Sequence, residues 1–134
     1  MTDDARTSFD AILRAKYVSL TTFKKDGTPV ATPLWAAADG STLVMWTVGD
    51  SWKVKRLRRN PKVLVQACDM RGGKLSGEPV EATAEVLDAA GTDKVRRLII
   101  RKYGVFGWIT VKASSLRRGN DATVGLAIRQ AAPL

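Results

Sequence analysis

Six cations and no anion occupy the segment Ser51-Trp52-Lys53-Val54-Lys55-Arg56-Leu57-Arg58-Arg59-Asn60-Pro61-Lys62. Read as a helix, it carries Lys53, Arg56 and Asn60 on one face and Lys55 and Arg59 on a neighbouring face. Strand-like runs flank it on both sides. A helix that begins directly after a strand points its free N–H groups outward, so Ser51 and Lys53 can converge there on one phosphate. The alternative is a solvated basic face. Solvated helices usually mix signs, whereas no carboxylate lies between Asp50 and Asp69, and the pattern therefore favours an anion site.

Three other features bear on chemistry. In Ala31-Thr32-Pro33-Leu34-Trp35 the proline cannot donate to a strand ladder, which predicts an edge or a bulge. Backbone groups left unpaired beside it can hydrogen-bond the rim of a planar heterocycle, although a plain edge strand explains the proline equally well. Trp35, Trp46, Trp52 and Trp108 can line an aromatic pocket or simply fill a core. Asp69, Glu78, Glu81 and Glu85 form no acid–base pair. Histidine is absent, which removes Ser-His-Asp and Cys-His nucleophiles and His-held zinc or haem. The single cysteine, Cys68, lies in a β-like run and reads as a small buried hydrophobe. No metal site is expected and no catalytic side chain is identified, so an enzymatic role requires a bound cofactor to supply the chemistry.

The elements that must position these groups fit one domain spanning residues 1–134. The 134 residues have 45% apolar and 26% charged content, a globular composition. The net charge of +9 implies anionic partners and says nothing of fold. The acidic start Met1-Thr2-Asp3-Asp4 lacks the apolar stretch of a signal peptide, and no apolar run reaches membrane-spanning length, so a cytoplasmic protein with no membrane partner is expected.

Ala5, Phe9, Ile12 and Leu13 predict a short helix over 3–15. Strands are predicted at 16–24, 28–37 and 41–48, joined by the turn pairs Asp26-Gly27 and Asp39-Gly40. Asp50 or Ser51 can cap a helix from Trp52 to Arg59, which Asn60-Pro61 ends. A fourth strand is predicted at 62–68, a loop at 71–74, and a fifth strand at 79–87. A helix over 92–103 closes at Gly104, an apolar aromatic stretch covers 105–111, and a last strand covers 122–129. Strands in meander order with short helices at the turns predict a mainly β fold, a small closed or nearly closed β-barrel.

In this order the features resemble the pyridoxamine 5'-phosphate oxidase-like (FMN-binding) split-barrel family. Within it they are most similar to the B-type flavin/deazaflavin oxidoreductases that use coenzyme F-420 (8-hydroxy-5-deazaflavin). The residues that carry the resemblance are Lys16-Tyr17-Val18-Ser19-Leu20-Thr21-Thr22-Phe23, Asp26-Gly27-Thr28-Pro29-Val30-Ala31-Thr32-Pro33-Leu34-Trp35, Trp46-Thr47, the segment from Asp50 to Pro61, and Gly77-Glu78-Pro79-Val80-Glu81-Ala82-Thr83-Ala84. Residues 10–90 carry most of the similarity.

The resemblance implies a homodimeric split β-barrel with cofactor sites at the subunit interface. It implies that Thr32, Pro33, Leu34 and Trp35 meet the tricyclic ring through their backbone. It also implies that Thr47, Ser51, Lys53 and Lys55 hold the phosphate, with Asn60 and Pro61 setting the turn behind them. Arg56 and Arg59 join the set on charge geometry, and Trp108 as a contact reached from the other subunit. The implied activity is F-420-dependent hydride transfer to or from a small organic substrate, with solvent, Thr47 or Tyr103 as proton donor. The alternatives are an FMN-binding oxidoreductase and a non-catalytic cofactor-binding protein. A carboxylate-rich coenzyme tail would use a wider cationic surface, for which Arg71, Lys74, Arg96, Arg97, Arg101, Lys102, Lys112, Arg117 and Arg118 are available. A nucleic-acid-binding barrel is a remote reading: the positive charge concentrates in a turn and helix rather than along an aromatic sheet face.

Overall fold

A computed structural model describes residues 9–48, 51–69, 73–118 and 123–130, the last helix beyond Gly104 by its backbone alone. Residues 9–13 are helical (α1). They precede β1 (Tyr17–Phe23), β2 (Pro29–Asp39), β3 (Thr42–Val48), α2 (Trp52–Arg59), β4 (Lys62–Cys68), β5 (Leu75–Val86), α3 (Ala89–Arg118) and β6 (Thr123–Gln130). The six strands close into an antiparallel barrel in the order β1-β2-β3-β6-β5-β4.

Alternation decides which face of each strand is buried. In β1, Val18, Leu20 and Thr22 are almost completely inaccessible and turn inward. Val18 and Leu20 meet Leu43 and Met45 of β3, Val63 and Val65 of β4, and Leu126 and Ile128 of β6 in one continuous core. The two short helices plug this core, α1 with Phe9, Ile12 and Leu13, and α2 with Leu57. A second, smaller core lies outside the barrel wall. There Val95 and Ile99 of α3 cover Ala37 and Val44, flanked by Trp35, Trp46 and Tyr103.

The third helix departs from the sequence expectation at both ends. It starts at Ala89 and continues to Arg118, past the predicted stop. Gly104 does leave helical space, at φ 64° and ψ −142°, a conformation that side-chain-bearing residues rarely adopt. The chain then resumes its helix through the apolar aromatic stretch, so the glycine is a kink between two helices rather than a terminus. β5 likewise begins at Leu75, ahead of its predicted start, and a register shift lies opposite it between Val65 and Ala67 of β4.

Close contact between α3 and β6 depends on Gly125. A Cβ there would stand 2.8 Å from Val95 Cγ2 and 3.2 Å from the Thr92 backbone. The approach is fixed by the Gly125 N–H, which donates to Thr92 Oγ1 at 2.9 Å in a buried setting. Gly125→Val is therefore expected to lower stability by about 1–3 kcal/mol through overpacking. Urea denaturation checks this, and an unchanged midpoint would show that α3 can shift freely away from β6.

Candidate functional site

The proline in β2 marks where the barrel wall opens. From Pro29 to Trp35 the strand pairs with β1, with Pro33 opposite Ser19. Its pairing with β3 begins only at Ala36, opposite Met45, and runs to Asp39. β3 meanwhile continues from Met45 to Val48 against β6. Among the described residues no strand pairs with the β3-facing edge of Pro29–Trp35. Thr32, Pro33, Leu34 and Trp35, all half-buried, lie on this open edge. From Thr32 to Leu34 the edge carries backbone groups not used by the ladder among the described residues, which suit a flat polar partner.

At the same end of the barrel, α2 follows β3. Its sequence explains its seat: Val54 and Leu57 are buried, and every other side chain is polar or exposed. Ser51 is the N-cap, its Oγ accepting from the Val54 N–H at 3.4 Å. Asn60 closes the helix, its N–H donating to the Arg56 carbonyl at 2.7 Å and its Oδ1 accepting from the Lys62 N–H at 3.2 Å. The Pro61 carbonyl accepts from the Ala84 N–H at 2.8 Å, which ties the turn to β5. Asn60 and Pro61 thus shape the backbone behind the cations.

The cations do not form one cluster. Trp52, Lys55, Arg56 and Arg59 line a cleft of about 390 Å³ together with Lys24 and Lys25 from the β1–β2 turn. Arg59 is anchored there, donating to the Phe23 carbonyl at 2.9 Å. Trp52 is 70% exposed, with the Lys55 ammonium 4.6 Å from its ring centre. Lys53 is not among the residues lining this cleft. It is half-buried, and burial first, then the neighbouring Arg56 guanidinium, pushes its ammonium below the ordinary lysine value. The ion pairs among the described residues are Lys94–Asp39, Arg96–Asp93 and Arg129–Glu85, so α2 has no carboxylate partner there. Cations gathered and partly desolvated without an anion favour an anionic ligand.

Other residues singled out from sequence lie elsewhere. Thr47 is buried within β3. Trp35 and Trp46 belong to the outer core under α3, and the Trp46 Nε1 is buried without a hydrogen-bond partner among the described residues. The four tryptophans therefore do not make one pocket: Trp52 stands apart on α2, and the Trp108 side chain lies outside the described residues. Arg96 is engaged by Asp93 and Thr123 at the start of α3, and Lys102 by backbone carbonyls, so neither extends the α2 cleft. Arg71 and the side chains of Lys112, Arg117 and Arg118 lie outside the described residues. Tyr103, expected from sequence among the candidate proton donors, is half-buried, with its hydroxyl engaged by the Lys16 and Ala36 backbone. Burial also raises its pKa, so its proton is held rather than offered. Lys24 and Lys25 were not read as site residues, and their only sequence signal is two adjacent cations beside a hairpin turn.

The protein-family model for pyridoxamine 5'-phosphate oxidase matches residues 5–132. Among solved structures, a conserved hypothetical protein from Mycobacterium tuberculosis superposes with a TM-score of 0.70 at 22% identity, covering 92% of this chain and 78% of its own. An F-420 reductase superposes with a TM-score of 0.59 at 21% identity, covering 92% and 93%. The haem storage protein HutZ from Vibrio cholerae gives 0.65 at 13% identity, covering 98% and 89%. At these identities the solved structures establish a shared fold only. No curated protein matches the sequence significantly.

Proposed function

Because the chain belongs to the pyridoxamine 5'-phosphate oxidase family, we propose that its open β2 edge and α2 cations hold a phosphorylated tricyclic coenzyme. In this reading the coenzyme is F-420, with FMN as the alternative, and the protein is an oxidoreductase acting on a small organic substrate. The observation that carries the proposal is the Pro29–Leu34 edge, which no strand pairs on its β3 side among the described residues, at the end of the barrel where the α2 cations have no carboxylate partner among those residues.

The residues fit such a group. The coenzyme's ring rim is rich in hydrogen-bonding atoms, which suits the edge backbone of Thr32–Leu34. Lys53, partly desolvated, and Ser51 at the α2 N-terminus suit the phosphate. Two features favour the deazaflavin over FMN. FMN ends in one compact phosphate, whereas the deazaflavin coenzyme continues into a carboxylate-bearing tail, and the cleft of Lys24, Lys25, Lys55, Arg56 and Arg59 offers more positive charge than one phosphate requires. An F-420 reductase also shares this fold.

When bound, the coenzyme supplies two-electron hydride chemistry. This chain's own residues would bind the anion through Ser51 and Lys53, meet the ring rim with the β2 backbone and limit water at that edge. No nucleophile is needed. Thr47 is buried and the Tyr103 hydroxyl is engaged by backbone, which leaves solvent as the proton source. The two sites of a homodimer would each be completed by the second subunit, which would cover the side of the groove this chain leaves open.

Titration of the protein with F-420 and, separately, FMN at low salt tests this reading. Saturable quenching of F-420 fluorescence with micromolar or tighter affinity is expected, with weaker FMN binding. Oxidation of reduced F-420 by enones, quinones or nitro compounds then distinguishes an enzyme from a coenzyme carrier. Absence of binding to either coenzyme would sink the proposal.

A further inference from the structure

The densest set of long-range side-chain bonds lies where β2 exchanges one partner for the other. Trp35 is the last residue matched to β1 in this register, opposite Tyr17, and Ala36 is the first matched to β3, opposite Met45. A strand that changes neighbours leaves backbone groups without ladder partners at that step. Ala36 is fully buried, so water cannot easily satisfy them.

Two consecutive residues of α3 meet this need. Lys102 Nζ donates to the Ala36 carbonyl at 2.6 Å and to the Ala15 carbonyl just before β1. Tyr103 Oη accepts from the Ala36 N–H at 3.1 Å, lies 3.0 Å from the Ala36 carbonyl, and donates to the Lys16 carbonyl. The Tyr103 ring stacks on Trp35 with centres 4.3 Å apart and planes 9° from parallel. The next residue is the kink at Gly104, which ends the straight part of the helix directly after this pair.

We infer that Lys102 and Tyr103 are positioning residues that continue the β1 side of β2 past Tyr17, bridging Ala36 to the Ala15 and Lys16 carbonyls, and so fix where β2 enters its open edge. They touch none of the α2 cations and meet the edge only at its end, through the Trp35 ring. They act through the backbone of Ala36 and the plane of Trp35, at the inner end of the groove. Without them the Ala36 groups that face the start of β1 would be left to water, and the end of the β1–β2 ladder beside Trp35 would loosen, which misaligns the edge. The consequence for coenzyme binding rests on the proposed function, whereas the strand geometry does not.

Tyr103→Phe keeps the stacked ring and removes the hydroxyl; Lys102→Met keeps the chain length and removes the donor. Hydrogen–deuterium exchange of β2 and F-420 affinity are measured on both, with Lys102→Arg as the conservative control. The expected result is exchange at Ala36 and its neighbours faster by about tenfold, the loss of roughly one buried hydrogen bond. F-420 Kd should weaken by a similar factor, and Lys102→Arg should recover most of both. A lowered melting temperature with unchanged β2 exchange and unchanged Kd would overturn the inference and leave the pair as ordinary packing. If the unmodified protein binds no coenzyme, the functional reading fails, yet the exchange data still decide the clamp: equal β2 exchange in all variants refutes it.

Discussion

Lys53→Ala is expected to weaken F-420 binding by roughly 1.5–3 kcal/mol, the worth of a charge-assisted phosphate contact, or about 10- to 150-fold in Kd. The effect should be large because Lys53 is partly desolvated beside Arg56 and lacks a carboxylate partner among the described residues. Its pH dependence has a defined sign. The folded protein holds this ammonium below the ordinary value of 10.5, so between the lowered value and 10.5 the unfolded chain carries more protons. Coenzyme-free protein therefore gains stability from this group as pH rises through that window. Coenzyme affinity moves the other way, because binding needs the ammonium and falls as pH climbs past the lowered pKa. Fluorescence titrations across alkaline pH, on wild type and Lys53→Ala, check both. A mutant that binds as well as wild type, with the same alkaline decline, would remove Lys53 from the site. Lys55→Ala, beside the exposed Trp52 in the open cleft, should cost less and depend more on salt.

Leu20→Ala is expected to destabilise the barrel by about 2–5 kcal/mol, through lost apolar transfer and the cavity left behind. Leu20 is completely buried in β1, paired with Thr32 of β2 on one side and Val65 of β4 on the other. A cavity there cannot collapse easily, because strands on both flanks fix the backbone. The loss is a large share of a typical domain's 5–15 kcal/mol. Urea denaturation at constant m-value measures it, and a change below about 1 kcal/mol would show a far more compliant core than this packing implies. Because Thr32 lies on the open edge, the same substitution also asks whether groove geometry depends on core rigidity.

Local signals made most of the barrel legible. The predicted helix Trp52–Arg59 and strand Lys62–Cys68 coincide with α2 and β4. Both are bounded by strong local chemistry: a serine cap before the helix, and Asn60-Pro61 between the two. The first three strands were readable because Asp-Gly pairs separate runs of β-branched and aromatic residues. Gly104 shows the limit of the same reasoning. A glycine after an amphipathic run signals a helix end, and the local backbone does leave the helix there; that it resumes on the far side was not encoded at that position.

The candidate site was half legible. Pro33 announced an edge, and the edge is where the proline lies, but the sequence does not say which side is open or where pairing with β3 begins. Helical spacing placed Lys53 with Arg56, and Lys55 with Arg59. The packed helix keeps Arg56 beside Lys53 and also brings it into the cleft of Lys55 and Arg59, together with Lys24 and Lys25 of a distant turn. Rotation of α2 about its axis is set by how Val54 and Leu57 seat in the barrel mouth, and that depends on every strand they touch.

The order of strands and turns, the cationic helix between two of them, and the lack of any histidine follow from the residues themselves. Each depends on side-chain alternation, turn chemistry or composition, which act over a few positions. The opening between β2 and β3, the division of the cations, and the meeting of Lys102 and Tyr103 with Ala36 were decided by the folded chain alone. They join residues 66 and 67 positions apart, as the Ala36 bonds show. No local propensity specifies such a meeting; it is fixed only by the packing of α3 across the outer wall of the barrel.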